Sequence, residues 1–379
     1  MKKRMLAFLS LLTFNIVLPV NSGHKNNMLN KTSDIQYDGP YVQYKADMVL
    51  VKYIMESNGT KLLKTDSITL SQKDNLSLKV MTDTAGKSFQ VRLKKELKNE
   101  ESEFPKVENL LVLSDIEGNF GAFRKLLEVG KVINNDMEWT FGNGNLVLVG
   151  DFFDRGQQVT EVLWFIYYLE EKAKAAGGYV HFILGNHEIM NLSGDLRYLP
   201  QKYLDNALIL NQKYITLYDE NSELGRWLRT KNVVEKIGEI LFTHGGISGN
   251  INRLNVSVPE INKLARPYYA DSTYKYADKK VDTIFSDFGP FWYRGYYEKN
   301  NTAIPLQIDT TLSQFRSKHI ITGHSIVADT ISVWYNGRLF NTDVHHAEGK
   351  SEALLIEGNR YYRVNGEGKK VLLMEAKLP

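Results

Sequence analysis

Five apolar runs, each ending in a short polar cluster, constrain this chain more than any other feature. They are NLLVLSD (109–115), NLVLVGD (145–151), YVHFILGN (179–186), EILFTHG (239–245) and HIITGH (319–324). Each is rich in Val, Ile, Leu or Phe and has the length of a strand rather than a helix. Between the first three lie helical patterns. Phe120, Phe123 and Leu127 recur at helical spacing in FGAFRKLLEVG, and VTEVLWFIYYLEEKAKAA continues for about five turns before Gly177 and Gly178. Near-continuous apolar strands alternating with helices predict an α/β layered domain whose strands are buried on both faces. In such folds, ligands collect beyond the carboxyl ends of the strands. All five polar clusters stand at such ends.

Those clusters carry a coherent set of side chains: Asp115 and Glu117, then Asp151, Asp154 and Arg155, then Asn186, His187 and Glu188, then His244, then His324. Carboxylates, an amide oxygen and imidazoles brought into one small volume are a ligand set for divalent metals, and there are more of them than one ion needs. A bound cation also makes the Asp115–Glu117 pair tolerable, because adjacent carboxylates otherwise repel.

In this order and spacing, GDFFDRG, GNHE, HGG and GH resemble the calcineurin-like metallophosphoesterases, in the phosphoprotein-phosphatase branch. IMNLSGDLRYLPQKY and FGPFWYRGYY are similar to the Shewanella-like protein phosphatases. The resemblance covers residues 108–345 and leaves out 24–105. It implies a layered β-sandwich flanked by helices (α-β-β-α) and a metal-dependent phosphatase acting on phosphate monoesters, which the N-terminal segment described below would make an exported one. Its substrate would be a phosphoprotein, with phosphotyrosine favoured, or a small phosphorylated compound. Two divalent ions (Mn, Fe, Mg or Zn) would be the cofactors. Asp115 and Glu117 would hold the first, Asp151 would bridge both, and Asn186, His244 and His324 would complete the second. A hydroxide between them would attack phosphorus in line. His187, oriented by Asp154, would be the general acid, and Arg155 and Arg294 would clamp the phosphate. Asn186, Asp195, Arg197 and Tyr293 would also meet the substrate.

The family's usual Asp-x-His-Gly reads Asp115-Ile116-Glu117-Gly118 here. Glu117 would then be a ligand in place of the histidine, bind through a water, or leave the first site weak. An oxygen ligand favours Mn, Mg or iron over zinc. Asp195 and Arg197 also fit a plain surface ion pair. Trp292 and Tyr293 fit core packing as well as a substrate wall. His181 and His319 read as structural, while His345 and His346 stand close enough to the last motif to reach the site. Tyr268 and Tyr269 belong to a polar stretch that could form a lid. A phosphodiesterase, a dinucleoside-polyphosphate hydrolase, or a non-catalytic protein on a degenerate phosphatase scaffold are the alternatives.

Outside the main domain, residues 1–22 read as a signal peptide: Lys2, Lys3 and Arg4, an apolar run, and small residues before a cut after Ser22. A membrane anchor is the competing reading, and the run is short for one. The chain has no cysteine, so disulfides play no part in an exported protein; a periplasmic or secreted location is expected, without stable membrane insertion. Residues 35–98 alternate as short β runs between turn residues and predict a small antiparallel β module. Residues 94–105, KKELKNEESEFP, read as a solvated linker leading to a catalytic domain over 107–379. A net charge of +3 over 379 residues argues against a nucleic-acid partner.

Overall fold

Residues 36–57, 59–298 and 304–376 are described by a computed structural model. The expected signal peptide, residues 1–22, lies outside them. Among the described residues no helix is long and apolar enough to cross a membrane.

The N-terminal part forms strands β1 (Gln36–Lys45), β2 (Met48–Ser57), β3 (Thr60–Thr69), β4 (Ser77–Met81) and β5 (Ser88–Arg92). β1, β2 and β3 make one antiparallel sheet, and β4 and β5 pair separately. They are followed by β6 (Glu103–Phe104), β7 (Asn109–Leu113), α1 (Phe120–Val129), β8 (Asn145–Val149), α2 (Val159–Ala175), β9 (Tyr179–Ile183), α3 (Asn186–Ser193) and α4 (Gln201–Ile209). After these come β10 (Val234–Ile237), β11 (Ile240–Thr243), β12 (His319–Thr322), β13 (Ser332–Trp334), β14 (Leu339–Asn341), β15 (Glu352–Glu357), β16 (Arg360–Asn365) and β17 (Lys370–Glu375).

The five apolar runs are all strands, but they divide between two six-stranded sheets. One runs β17-β16-β15-β7-β8-β9 and the other β13-β14-β12-β11-β10-β6. β7, β8 and β9 are mutually parallel, as are β11, β12 and β14. The strand period of two sorts the side chains. Leu110, Val112, Val147 and Val149 face Phe242, Ile321 and Phe340 in the layer between the sheets. Leu111, Leu113, Leu146 and Leu148 face the helical side with Phe120, Phe123, Leu163 and Phe165. Both faces are therefore dry, which is why these strands carry no polar alternation.

The N-terminal strands continue that helical layer. Tyr41, Val49, Val51, Leu78, Val80 and Phe89 are buried in the same apolar cluster as α2, and Trp164 Nε1 donates to the Pro40 carbonyl at 2.8 Å.

The charged stretch 94–105 departs from the solvated linker expected of it. Glu103 and Phe104 pair with β10. Lys94 pairs with Glu170 of α2, and Glu100 with Lys231. Lys231 is fully buried, and its Nζ lies 2.6 Å from Glu170 Oε1. Trp227 Nε1 donates to the same carboxylate at 2.9 Å. Charge density alone did not reveal this, because the partners lie more than seventy residues away.

Removing one member of a buried ionic network leaves the others uncompensated, at a cost of about 3–5 kcal/mol. Lys231→Ala is expected to lower stability by that order in denaturant titration. An effect of only a few tenths of a kcal/mol would show the network to be solvated.

Candidate metal centre

Five loops at the carboxyl ends of β7, β8, β9, β12 and β14, together with Arg294, line one cleft of about 700 Å³. The first two are joined by backbone bonds. Asp115 N donates to Gly150 O, Glu117 N to Asp151 O and Gly118 N to Phe152 O, at 2.9–3.0 Å. The third is tied to the second by Glu188, whose fully buried carboxylate accepts from the backbone N–H of Asp151 at 2.9 Å, Phe152 at 2.7 Å and Gly185 at 2.7 Å. Burial and the nearby Asp151 charge raise the Glu188 pKa against those donors.

These ties hold a backbone that would not adopt its shape unaided. Asp115, Glu117, Asp151, Asp154, Arg155 and His324 all have φ between 47° and 67°. Left-handed backbone at a non-glycine residue costs on the order of 1–3 kcal/mol and persists only where the surroundings impose it. Gly150, at φ 82°, is needed for a second reason: a Cβ there would stand 2.5 Å from His244 Nδ1.

Asp151 is the hub. Its Oδ2 lies 3.0 Å from His244 Nε2 and 3.7 Å from His187 Nε2. Burial opposes ionisation, but His244 and His187 hold its pKa below the usual carboxylate range. His244 Nδ1 donates to the Val149 carbonyl at 2.7 Å. Its Nε2 lone pair is thereby turned toward Asp151 and toward Asn186 Oδ1 at 3.0 Å. A lone pair facing two oxygens calls for a cation. Burial works against a charge on His244, but Asp151 raises its pKa to about 10. His324 Nε2 bonds to the Trp292 carbonyl at 3.1 Å, which leaves Nδ1 as its lone pair.

Asp115 is buried and accepts the His324 N–H at 3.2 Å. Burial, reinforced by Asp151, pushes its pKa up to about 7. Ligand atoms of Asp151, His244 and His324 lie within 4.8 Å of one another, as do those of Glu117, Asp151 and His187. The donor set therefore fits divalent metal.

His187 Nδ1 pairs with Asp154 Oδ2 at 2.6 Å, so Nε2 faces the cleft. Burial lowers its pKa, but Asp151 and the bond to Asp154 reverse the sign and leave it raised. Arg155 pairs with Glu117 and stacks 5.2 Å above the Tyr198 ring. Arg294 donates to the His324 carbonyl at 2.5 Å and to Ser325 Oγ at 3.1 Å. Both arginines line the cleft.

Three residues expected to meet substrate are not in the lining. Tyr293 is 7 % exposed, donates to Gln307 at 3.0 Å and stacks edge-on against Tyr296. The bare backbone of Gly246 admits both rings, and a Cβ there would stand 2.9 Å from Tyr293. Asp195 and Arg197 form a bidentate pair with each other, and Arg197 is exposed. They reach the site only through Tyr198, whose ring lies between Arg197 and Arg155 and packs against His187 at 5.1 Å.

The loop after β14 drew notice in the sequence only for His345 and His346, because its apolar run is only three residues long. It brings Asp343 to the cleft, where burial and then the charges of Asp115 and Asp151 raise its pKa well above the usual range. The same loop places His345 and His346 in the lining. His346 is buried and donates to the Ser114 carbonyl at 3.1 Å, whereas His345 pairs with Asp329 at 2.9 Å. His181 bonds to Glu235 at 2.7 Å and His319 to the Gly337 carbonyl at 2.7 Å, both structural as expected.

The sequence profile of the calcineurin-like phosphoesterases matches residues 109–328. The chain is 36% identical over 109 residues to Shewanella-like protein phosphatase 2 of Arabidopsis thaliana, which covers 29% of this chain and 28% of that protein. It is 26% identical over 224 residues to Shewanella-like protein phosphatase 1 of Plasmodium berghei, covering 57% and 60%. The chain thus spans less than two thirds of the length of either curated relative. Among solved structures, the cold-active protein-tyrosine phosphatase of a psychrophilic Shewanella species superposes with a TM-score of 0.80 at 34% identity, over 89% of this chain and all of that one.

Glu188→Gln replaces an acceptor of four buried N–H groups by an amide that carries donors of its own. A loss of about 3 kcal/mol in stability is expected, together with weakened divalent-metal uptake in equilibrium dialysis. Unchanged metal uptake in a folded variant would show that the brace does not shape the centre.

Proposed function

Because the chain belongs to the calcineurin-like phosphoesterase family, we propose that it is a metal-dependent phosphatase for phosphate monoesters, acting on a phosphoprotein with phosphotyrosine favoured. The observation that carries this reading is the His187–Asp154 pair, with its free nitrogen turned into a cleft that also holds Arg155 and Arg294. The preference for phosphotyrosine rests on the likeness to the Shewanella protein-tyrosine phosphatase. Export to the periplasm or beyond is part of the proposal and rests on the sequence of residues 1–22 alone.

Asp115, Glu117 and Asp151 would hold one divalent ion, and Asp151, Asn186, His244 and His324 a second. Such ions supply an activated water and screen the charge of the phosphoryl group. The chain's own residues do the rest. Arg155 and Arg294 present planar donor forks to the non-bridging phosphate oxygens. His187 holds a proton on Nε2 for the departing oxygen, and Asp154 fixes the ring by accepting from Nδ1. Burial of the hub keeps these electrostatic interactions strong.

Glu117 has two claims on it. It is paired with Arg155, so a cation held by Glu117 would free Arg155 for phosphate, and phosphate on Arg155 would free Glu117 for a cation. An oxygen at this position favours manganese, magnesium or iron over zinc.

His187→Asn is expected to lower kcat on nitrophenyl phosphate by about 10²–10⁴-fold. The acid must be protonated, so activity falls as pH rises through the His187 pKa. Asp154→Asn removes a partner that raises that pKa, and the basic limb of the kcat profile should move to lower pH. An unmoved limb would assign the acid elsewhere. Glu117→His should retain activity and shift the preferred ion toward zinc; an unchanged metal preference would remove Glu117 from the ligand set.

A further inference from the structure

A second cavity, of about 620 Å³, adjoins the catalytic cleft, and Gln157 and Gln158 line both. Its volume is in the range of ligand clefts, ~300–1,000 Å³. One side is catalytic-domain structure: Gln157, Gln158, Glu161, Lys202 and Asn206. The other is the N-terminal strands, from Asp38 to Gly86, which lie outside the residues matched by the family profile.

The inner polar groups form a chain of contacts. Asn206 Nδ2 donates to the Tyr41 hydroxyl at 3.2 Å, and Tyr41 donates to Asp38 Oδ1 at 2.6 Å. Asp38 Oδ2 pairs with Lys202 Nζ at 2.5 Å, and Lys202 reaches the Gln157 carbonyl. This chain consumes donors and leaves acceptors over. Asn206 Oδ1 and Glu161 Oε2 have no hydrogen-bond partner among the described residues. Their side chains belong to residues only 1% and 6% exposed, and both line the cavity. An unmet buried acceptor costs on the order of 1–3 kcal/mol unless something fills it. Burial, with the Asp38 charge added, raises the Glu161 pKa to about 8 despite the nearby Lys202 ammonium. The missing partner must therefore be rich in donors. Of the cations lining the cavity, Lys202 is held by Asp38, and Lys61 and Lys79 stand on the strand side; at the nearby rim Arg124 is already bound to Asp83 at 2.9 Å and Glu128 at 2.6 Å.

From this geometry we propose that the second cavity is a specificity subsite that seats a basic side chain, best an arginine, flanking the phosphorylated residue of a peptide substrate. The inference rests on the phosphoprotein reading above. A guanidinium carries five N–H donors in a rigid fork and suits the unmet acceptors of Glu161 and Asn206. Gln157 and Gln158, which line both cavities, mark where the peptide passes from one to the other. The N-terminal strands then contribute half of the substrate-recognition surface.

The test compares kcat/KM for phosphotyrosine peptides that carry arginine or alanine beside the phosphotyrosine, with nitrophenyl phosphate as the control. The wild type should prefer the arginine peptides by about tenfold, mostly through KM, as a buried charge-assisted contact implies. Glu161→Gln keeps the shape of the side chain and should reduce that preference to about twofold, with nitrophenyl phosphate turnover unchanged. Glu56→Lys, a half-buried position of the cavity wall, places a cation there without disturbing the core and should reduce it likewise. Equal turnover of arginine and alanine peptides, or a preference that survives both variants, overturns the subsite and leaves the phosphoprotein reading standing. Hydrolysis of nitrophenyl phosphate with no turnover of any peptide overturns both.

Discussion

The catalytic centre hangs on one buried carboxylate. Glu188 gathers backbone N–H groups from the loops after β8 and β9, and the loop after β7 is laced to the first of these by its own backbone bonds. Three loops from one sheet thus become a single rigid piece. That rigidity is what allows Asp115, Glu117, Asp151, Asp154 and Arg155 to sit in left-handed backbone, a conformation that points their side chains inward at a free-energy cost. The opposite sheet contributes His244, His324 and Asp343 at the ends of β11, β12 and β14. The centre is a seam between two sheets.

Electrostatics explains the composition of that seam. Asp115, Asp151 and Asp343 are all buried, and burial, with their mutual repulsion added, raises the pKa values of Asp115 and Asp343. Only Asp151, nearest the imidazoles, keeps a lowered one. The same charges raise the pKa of His244 against its burial. Glu117, where the chain leaves the usual family pattern, meets the same shortage of positive charge by pairing with Arg155. Metal and phosphate would then compete with that pair from opposite sides.

Much of this was legible in the sequence, for physical reasons. Strands buried on both faces must be continuously apolar, so all five were visible, and each polar cluster at a strand end lines or adjoins the cleft. What was hidden depended on partners distant along the chain. Nothing in the runs revealed that they divide between two sheets, since both groups are buried alike. The three-residue β14 was too short to announce the loop that carries Asp343. Glu188 stood in plain view within GNHE, yet its role as a brace needs the loop geometry. For Tyr293 the sequence left two readings open, because an aromatic beside Arg294 suits a substrate wall as well as a core, and the space beside Gly246 decided for the core. The charged stretch 94–105 misled in the opposite sense, because Lys231 and Glu170 neutralise it from remote segments.

The claim on which the account depends is that this seam is a two-ion centre built on Asp151. Titration of the metal-stripped protein with Mn²⁺, following bound metal and phosphatase turnover together, tests it most directly. The account predicts two equivalents of bound ion, with turnover appearing only as the second is taken up, and neither in an Asp151→Ala variant that retains its fold. Full turnover with one equivalent or none would contradict it.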